Sequence, residues 1–290
     1  MNLTLISLPS QKPLGSIKVS KDETFEGVKE AISVKTNLSI HRISLKSEPK
    51  GKTITDMSSI NEKVYVKDLG PQVGWKTVFI LEYFGPLLIY AVVYFLQMGF
   101  PKASNSIPFI ALCCWEFHYL KRILETIFVH RFSHSTMPLA NLFRNCSYYW
   151  GFTAFISFSI NHTNYTPPNI FPFQAIIGIS LFIFGEVGNL SCHLALRDLR
   201  PSGSKERKIP YPVYKYPPTF LFHYVACPNY TYEVISWVGF TVFTQSIYSA
   251  LFSLFGLYMM TSWAMGKLYN YKKEFKNFPK SRKAIIPFIL

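Results

Sequence analysis

Between Asn189 and Glu233 the runs NLSCHLALRDLRP, RKIPYP and CPNYTYE bring Asn189, His193, Arg197, Asp198, Arg200, Arg207, Lys208, Asn229 and Tyr230 together, flanked by strongly apolar segments. Charged and amide side chains beside a hydrocarbon core are expensive, so they usually face a protein-lined cavity and serve a ligand. Asn189, His193, Arg197 and Arg200 recur every three or four residues, which places them on one helical face. Arginine forks bind phosphates bidentately. A phenol such as Tyr230 donates a proton where a cation or a developing enolate stabilises its anion. The pattern therefore suits a polyanionic ligand brought to a proton donor at a membrane face. Two plainer readings compete with it: arginines that only anchor a helix end, and Tyr230 as one of 18 tyrosines in an interfacial belt.

Further candidates lie upstream. Glu82, in LEYFGP, is a carboxyl within an apolar run, a functional position by default, with a structural partner on another helix as the alternative. Pro86 is expected to kink that helix. Tyr119 and Arg122 are three apart in HYLKRILETIFVHRFSH and form a ligand-facing pair, with Arg131 nearby. His130 and His134 have the HxxxH spacing of membrane di-iron enzymes. Such a centre consumes many ligands, however, and the chain has only seven His and no HH pair, so no metal is expected. The five cysteines show no metal spacing and read as buried thiols.

The elements that must position these residues are membrane helices. Apolar residues make up 49% of the chain and aromatics 17%, against 16% charged, a balance unusual for a soluble domain. Apolar blocks at 78–98, 106–120, 147–160, 170–190 and 234–265 include several of the roughly 20 residues needed to cross a bilayer. The expected fold is an all-α polytopic membrane protein with six spans, reading 234–265 as a tight hairpin of two short helices, or seven if 218–228 also inserts. The net charge of +14 resides in basic clusters at 121–144, 197–215 and 267–283, whereas 99–105 and 161–171 carry one Lys between them. That is the positive-inside pattern, not a nucleic-acid footprint, and it predicts both termini on the cytosolic side. No signal peptide is read at the N-terminus.

Residues 1–69 are polar and alternating. NLTLISL and GSIKVSK read as strands, TFEGVKEAISVKTNL as a helix capped by Asp22 or Thr24, and RISLKS and KVYVKDL as further strands. This ββαββ order predicts a β-grasp, ubiquitin-like domain at 1–69, a linker at 70–77 and a membrane domain at 78–290. Without a C-terminal diglycine, the front domain suits docking rather than conjugation. No GxGxxG follows a strand, so no Rossmann site is expected.

The segments HYLKRILETIFVHRFSHSTMPLANLFRNCSYYWGF, GNLSCHLALRDLRP, RKIPYP, CPNYTYEVISWVGF and YNYKKEFKNFPKSRKAIIPFIL resemble the very-long-chain trans-2-enoyl-CoA reductases of the steroid 5α-reductase superfamily. The resemblance implies an endoplasmic-reticulum enzyme that uses NADPH to reduce a trans-2-enoyl-CoA in the last step of each fatty-acid elongation cycle. It implies an acyl-CoA substrate, a bilayer setting and contact with other elongation enzymes. Glu82 and Tyr230 match the family's two catalytic positions. Tyr119, Arg122, Arg131, Asn189, His193, Arg197, Arg200, Lys208 and Asn229 fall at or near its NADPH-lining positions. Lys205, Arg207 and the C-terminal KSRK are further cations for the phosphates of CoA. One position departs from the pattern: where the family often carries a His, this chain has Leu268 beside Lys267.

Three other readings are weighed against this one. A steroid 3-oxo-Δ4 reductase shares the chemistry, an isoprenylcysteine methyltransferase would take S-adenosylmethionine, and a membrane scaffold would bind no NADPH.

Overall fold

The computed structural model describes residues 2–8, 10–20, 22–98, 106–132, 135–166, 172–201 and 206–290. The chain divides into two compact units, residues 1–78 with 134–144 and residues 79–133 with 145–290.

In the first unit, β1 (Asn2–Leu8), β2 (Pro13–Lys18), β3 (Ile43–Lys46) and β4 (Lys63–Asp68) form a sheet in the order β2-β1-β4-β3. β1 and β4 run parallel, and the other pairs are antiparallel. Period-2 alternation sets the buried face: Leu3, Leu5, Ile43, Leu45, Val64 and Val66 point inward. Helix α1 (Phe25–Thr36) packs Val28 and Ile32 into the same core. Of the two candidate caps, Thr24 is the one used, accepting from the Gly27 N–H at 3.0 Å, and Asn37 ends the helix at φ 54°. Within the segment expected as linker, residues 72–74 form a strand, β5 (Gln72–Gly74), which pairs antiparallel with β6 (Thr136–Pro138).

The remaining helices are α2 (Trp75–Met98), α3 (Ile107–Phe128), α4 (Leu139–Asn161), α5 (Phe173–Leu199), α6 (Pro228–Thr244) and α7 (Ile247–Glu274). Among the described residues, α2, α5 and α7 are long and apolar enough to cross a membrane. Their outward side chains are apolar, for example Leu88 and Leu96 on α2, Ile176 and Ile183 on α5, and Leu254 and Phe255 on α7. Such continuous apolar exposure needs a non-aqueous surrounding. The core is an aromatic cluster in which Trp115 touches Tyr90, Tyr119, Trp237, Phe240 and Phe252, at ring separations of 5.2–6.1 Å.

One expectation is corrected. The segment 234–265 is a tight hairpin, turned at Gln245 (φ 50°) and Ser246, but its helices run to 17 and 28 residues and are not short. Helix α3 continues past the apolar block 106–120 through the charged KRILET stretch, so Tyr119 and Arg122 share one helix as expected. Apolarity marks only the part of a helix that meets lipid, while backbone hydrogen bonding continues as long as the charged side chains find partners. The segment 217–223 is a short 3-10 helix, and α2 stays helical through Pro86.

The tightest helix pair is α5 against α6. A Cβ on Gly178 would lie 2.7 Å from the Gly239 carbonyl oxygen, and one on Gly239 would lie 2.6 Å from that of Gly178. Only hydrogen at both positions permits this approach, which brings the polar positions of the two helices together.

Candidate active site

A chain of ionic and polar groups runs through the helical unit where α3, α5 and α6 meet. On α3, the Lys121 ammonium is 2.9 Å from Glu186 Oε2 and donates to Asn189 Oδ1 at 3.0 Å. His118 Nδ1 is 2.8 Å from Glu186 Oε1, and its Nε2 is 3.4 Å from Glu233 Oε1. Asn189 Nδ2 donates to Glu233 Oε2 at 2.9 Å and to the Asn229 carbonyl at 3.0 Å. Arg122 donates to Glu125 at 2.7 Å and to the Tyr83 hydroxyl at 2.9 Å. His193 Nδ1 lies 3.1 Å from Glu125 Oε1. Every acid faces a base, and almost all of these groups are buried. Buried charges persist only when paired in this way.

The spacing that carries this network is three or four residues on each helix: His118, Lys121 or Arg122, and Glu125 on α3; Glu186, Asn189 and His193 on α5; Asn229, Glu233 and Trp237 on α6, where the Trp237 indole donates to Glu233 at 3.1 Å. Sequence reading singled out Arg122, Asn189, His193 and Asn229 but passed over His118, Lys121, Glu125, Glu186 and Glu233. Their signal was present as acids and bases at helical period within apolar runs. Tyr119 is buried among Tyr83, His118 and Trp237, and its hydroxyl has no hydrogen-bond partner among the described residues.

Glu125, His130 and His193 bring one ligand atom each within 4.8 Å of the others. Arg122 already lies there, 3.2 Å from His193 Nδ1 as well as paired with Glu125, so a guanidinium holds the place a cation would take. His134, the other half of the HxxxH motif, lies outside the described residues. His130, just past the end of α3, is held neutral: burial first, then Arg122 and His193, pushes its pKa down to about 2.

The expected Asn189–Arg200 ladder divides in two. Asn189 and His193 turn into the network, whereas Arg197 lies at the end of α5, paired with Asp198 at 2.8 Å, and Arg200 caps the helix. Arg207 pairs with Glu274 at 2.9 Å, and the exposed Lys208 lies 3.4 Å from Glu206. Arg131 is exposed next to His130. Glu82 is buried and accepts from Asn145 at 2.7 Å. Among the described residues it makes no hydrogen bond to Tyr230.

Tyr230 stands in the first turn of α6, after Cys227 and with Pro228 as the first helical residue. The C-terminal segment fixes this turn. Cys227 N–H donates to Ala284 O at 3.1 Å, Ala226 N–H to Lys283 O at 2.8 Å, and the Thr231 hydroxyl to Ile285 O at 2.5 Å. Arg282 does not remain available for an anion, contrary to the reading of KSRK as phosphate ligands. It is buried, donates to Pro210 O at 2.8 Å and lies over the Tyr211 ring. Lys205 lies outside the described residues. The Tyr230 hydroxyl, half-buried, accepts from the exposed Lys267 ammonium at 3.2 Å. Sequence reading missed this partner, because it sits 37 residues away on α7.

The residues present fit a polyanionic cofactor at the open end of α5. Arg197, Arg200 and Lys208 are accessible there, and the acids that Arg197 and Lys208 meet, Asp198 and Glu206, are near neighbours in sequence. The buried cations Lys121 and Arg122 are saturated by Glu125 and Glu186 and fit positioning better than phosphate binding.

Comparison with known proteins places the chain in a family. Residues 135–290 match the family model described as 3-oxo-5-alpha-steroid 4-dehydrogenase. A Dictyostelium discoideum very-long-chain enoyl-CoA reductase is 44% identical over the whole of both chains. A Caenorhabditis elegans protein described as a probable very-long-chain enoyl-CoA reductase is 46% identical over 94% of this chain and 93% of its own. The chain belongs to the very-long-chain enoyl-CoA reductase family. A mouse trans-2,3-enoyl-CoA reductase-like protein is also similar, 38% identical over 86% of this chain and 72% of its own. Membership makes the chain an oxidoreductase, and its span-capable helices make it a membrane protein. It also gives the Tyr230 turn, which lies inside the matched region, a chemical context.

Proposed function

We propose that the protein reduces the 2,3 double bond of a trans-2-enoyl-CoA with NADPH, giving the saturated acyl-CoA that ends a fatty-acid elongation cycle in the endoplasmic-reticulum membrane. The observation that carries this reading is a phenol, Tyr230, held in an accessible helix N-terminal turn against an ammonium, in a chain whose relatives are named enoyl-CoA reductases. Bound NADPH would supply a hydride to the β carbon. Reduction there leaves negative charge on the thioester oxygen as an enolate, and Tyr230 gives its proton to the α carbon. Glu82, fixed by Asn145, faces the reacting carbonyl in this reading. Arg197, Arg200 and Lys208 hold cofactor phosphates; Tyr119, Arg122, Arg131, Asn189, His193 and Asn229 line the rest of that site. The acyl chain lies against the apolar helix faces.

Six spans, α2 to α7, give both chain ends the same cytosolic side. Residues 1–69 form a ubiquitin-like domain, supported by the β2-β1-β4-β3 order with parallel central strands; 70–77, which hold β5 and the start of α2, link it to the catalytic domain at 78–290. The front domain docks condensing enzyme, ketoreductase or dehydratase, which co-purification with the full chain tests.

The decisive assay follows NADPH consumption by the purified chain with trans-2-hexadecenoyl-CoA, beside Tyr230→Phe. Turnover is expected for the first, with a loss of about 100-fold or more for the second. Wild-type turnover by Tyr230→Phe would remove the proton-donor assignment. The steroid-reductase reading draws on the family description alone, and a 3-oxo-Δ4 steroid that is reduced while the enoyl-CoA is not would favour it.

A further inference from the structure

Lys267 is an unusual lysine. It begins the basic final stretch of α7, just past the apolar run, where a cation normally reaches for solvent. Among the described residues it has no ion pair; its hydrogen-bond partner is the Tyr230 hydroxyl at 3.2 Å, with the ammonium 4.9 Å from the centre of the same ring. The placement is built rather than incidental. Met260, Ala264 and Leu268 form an i, i+4, i+8 stripe that packs in one cluster with Ala226 and Cys227, which fixes the rotation of α7 against the Tyr230 turn. Leu268, at the position where the family often has a His, is buried in that cluster, and Lys267 beside it projects to the phenol. Trp263, one turn earlier on α7, meets the opposite partner of the pair, its ring 6.3 Å from that of Tyr230.

We propose that Lys267 is the positioning residue for Tyr230: it orients the phenol O–H and neutralises the phenolate left by proton transfer. This deepens, and rests on, the assignment of Tyr230 as proton donor. The O–H bond of Tyr230 breaks as the new C–H bond forms at the α carbon. The electron pair stays on the phenol oxygen, beside a lysine that remains an ammonium throughout. Water returns the proton after product leaves, so the enzyme is regenerated. The other titratable groups facing the pair are Cys227, preceding α6, and Tyr271, one turn on along α7. Arg200 and Arg207 act on Tyr271, and none of these hydrogen-bonds the Tyr230 hydroxyl.

The test compares full-length wild type with Lys267→Met, Lys267→Gln and Lys267→Arg. With trans-2-hexadecenoyl-CoA and NADPH, Met and Gln are expected to lower kcat about 10- to 100-fold with little change in KM. They also move the alkaline limb of the rate profile to higher pH, and Arg restores both in part. A second readout needs no cofactor or substrate: 3-fluorotyrosine placed at position 230 and followed by 19F NMR. Its resonance is expected to shift in Lys267→Met and to return toward the wild-type position in Lys267→Arg, because the ammonium that donates to the phenol oxygen is gone in the first and replaced in the second. An unmoved fluorine resonance overturns the proposal whatever the activity, as does a fall in kcat with an unchanged pH profile, the result of a purely structural lysine. Active wild type with inactive Tyr230→Phe and fully active Lys267→Met removes this inference alone; active Tyr230→Phe removes the reading beneath it.

Discussion

The α3–α5–α6 network and the Tyr230 turn use the same kinds of side chain to opposite ends. In the network, Lys121, Arg122, Glu125, Glu186 and Glu233 are closed on one another and nearly all buried. At the turn, Tyr230 and Lys267 form an open pair with no carboxylate between them, and Arg197, Arg200 and Lys208 stay accessible. A charge in an apolar helix is therefore not by itself a ligand site. What separates the two regions is burial: the network's pairs are shut away from solvent, whereas Arg197 and Lys208 meet only exposed acids next to them in sequence. Removing a member of a closed set leaves a buried charge uncompensated, whereas removing a member of an open set leaves the fold untouched and the chemistry changed.

The sharpest way to break this distinction is Glu186→Ala. Lys121 and His118 both contact this carboxylate, so loss of about 3–5 kcal/mol of stability is expected, read as a fall in melting temperature in detergent. Tyr230→Phe should leave that temperature unchanged while abolishing turnover. If both variants unfold, or neither does, the two regions do not differ as described.

A smaller effect belongs to the cationic rim. Arg200→Gln with Lys208→Gln should raise KM for NADPH about tenfold, near 1.4 kcal/mol, with kcat and thermal stability retained. Initial rates at varied cofactor concentration measure this, and an unchanged KM would return these cations to the role of helix-end anchors.

The smallest expected effect tests the edge of the network through pH. His130 is held neutral when folded, near pKa 2, against an ordinary value of 6.5. Between those values the unfolded chain binds the extra proton, so this group's contribution is complete above about pH 6.5 and is lost as pH falls. His130→Phe should therefore flatten the decline of stability from pH 6.5 to 5, by less than about 1 kcal/mol per pH unit. Thermal melts of both proteins across that range give the comparison.

Much of this was legible in residue order. The strands of the front unit follow from alternation, Thr24 from its capping chemistry, and the turn at Gln245–Ser246 from the length of one apolar run. Helix ends were less legible, since α3 continues through charges that only its neighbours neutralise. The choice among cations was not legible either. Lys121 and Arg122 are adjacent on one helix and Arg282 lies within a basic terminus, yet all three are held internally.

By itself, the sequence determined that apolar helices carry polar side chains at helical period, that a proline-led turn presents Tyr230, and that the front segment alternates as a sheet. Those are properties of neighbours along the chain, fixed by 3.6- and 2-residue periods. Only the tertiary structure decided which charges face one another. Gly178 and Gly239 let α5 and α6 close until Asn189 reaches Glu233, the C-terminal segment clamps Cys227, and α7 delivers Lys267 to Tyr230 from 37 positions away. Pairing at that range depends on helix rotation and separation, quantities that no local spacing encodes.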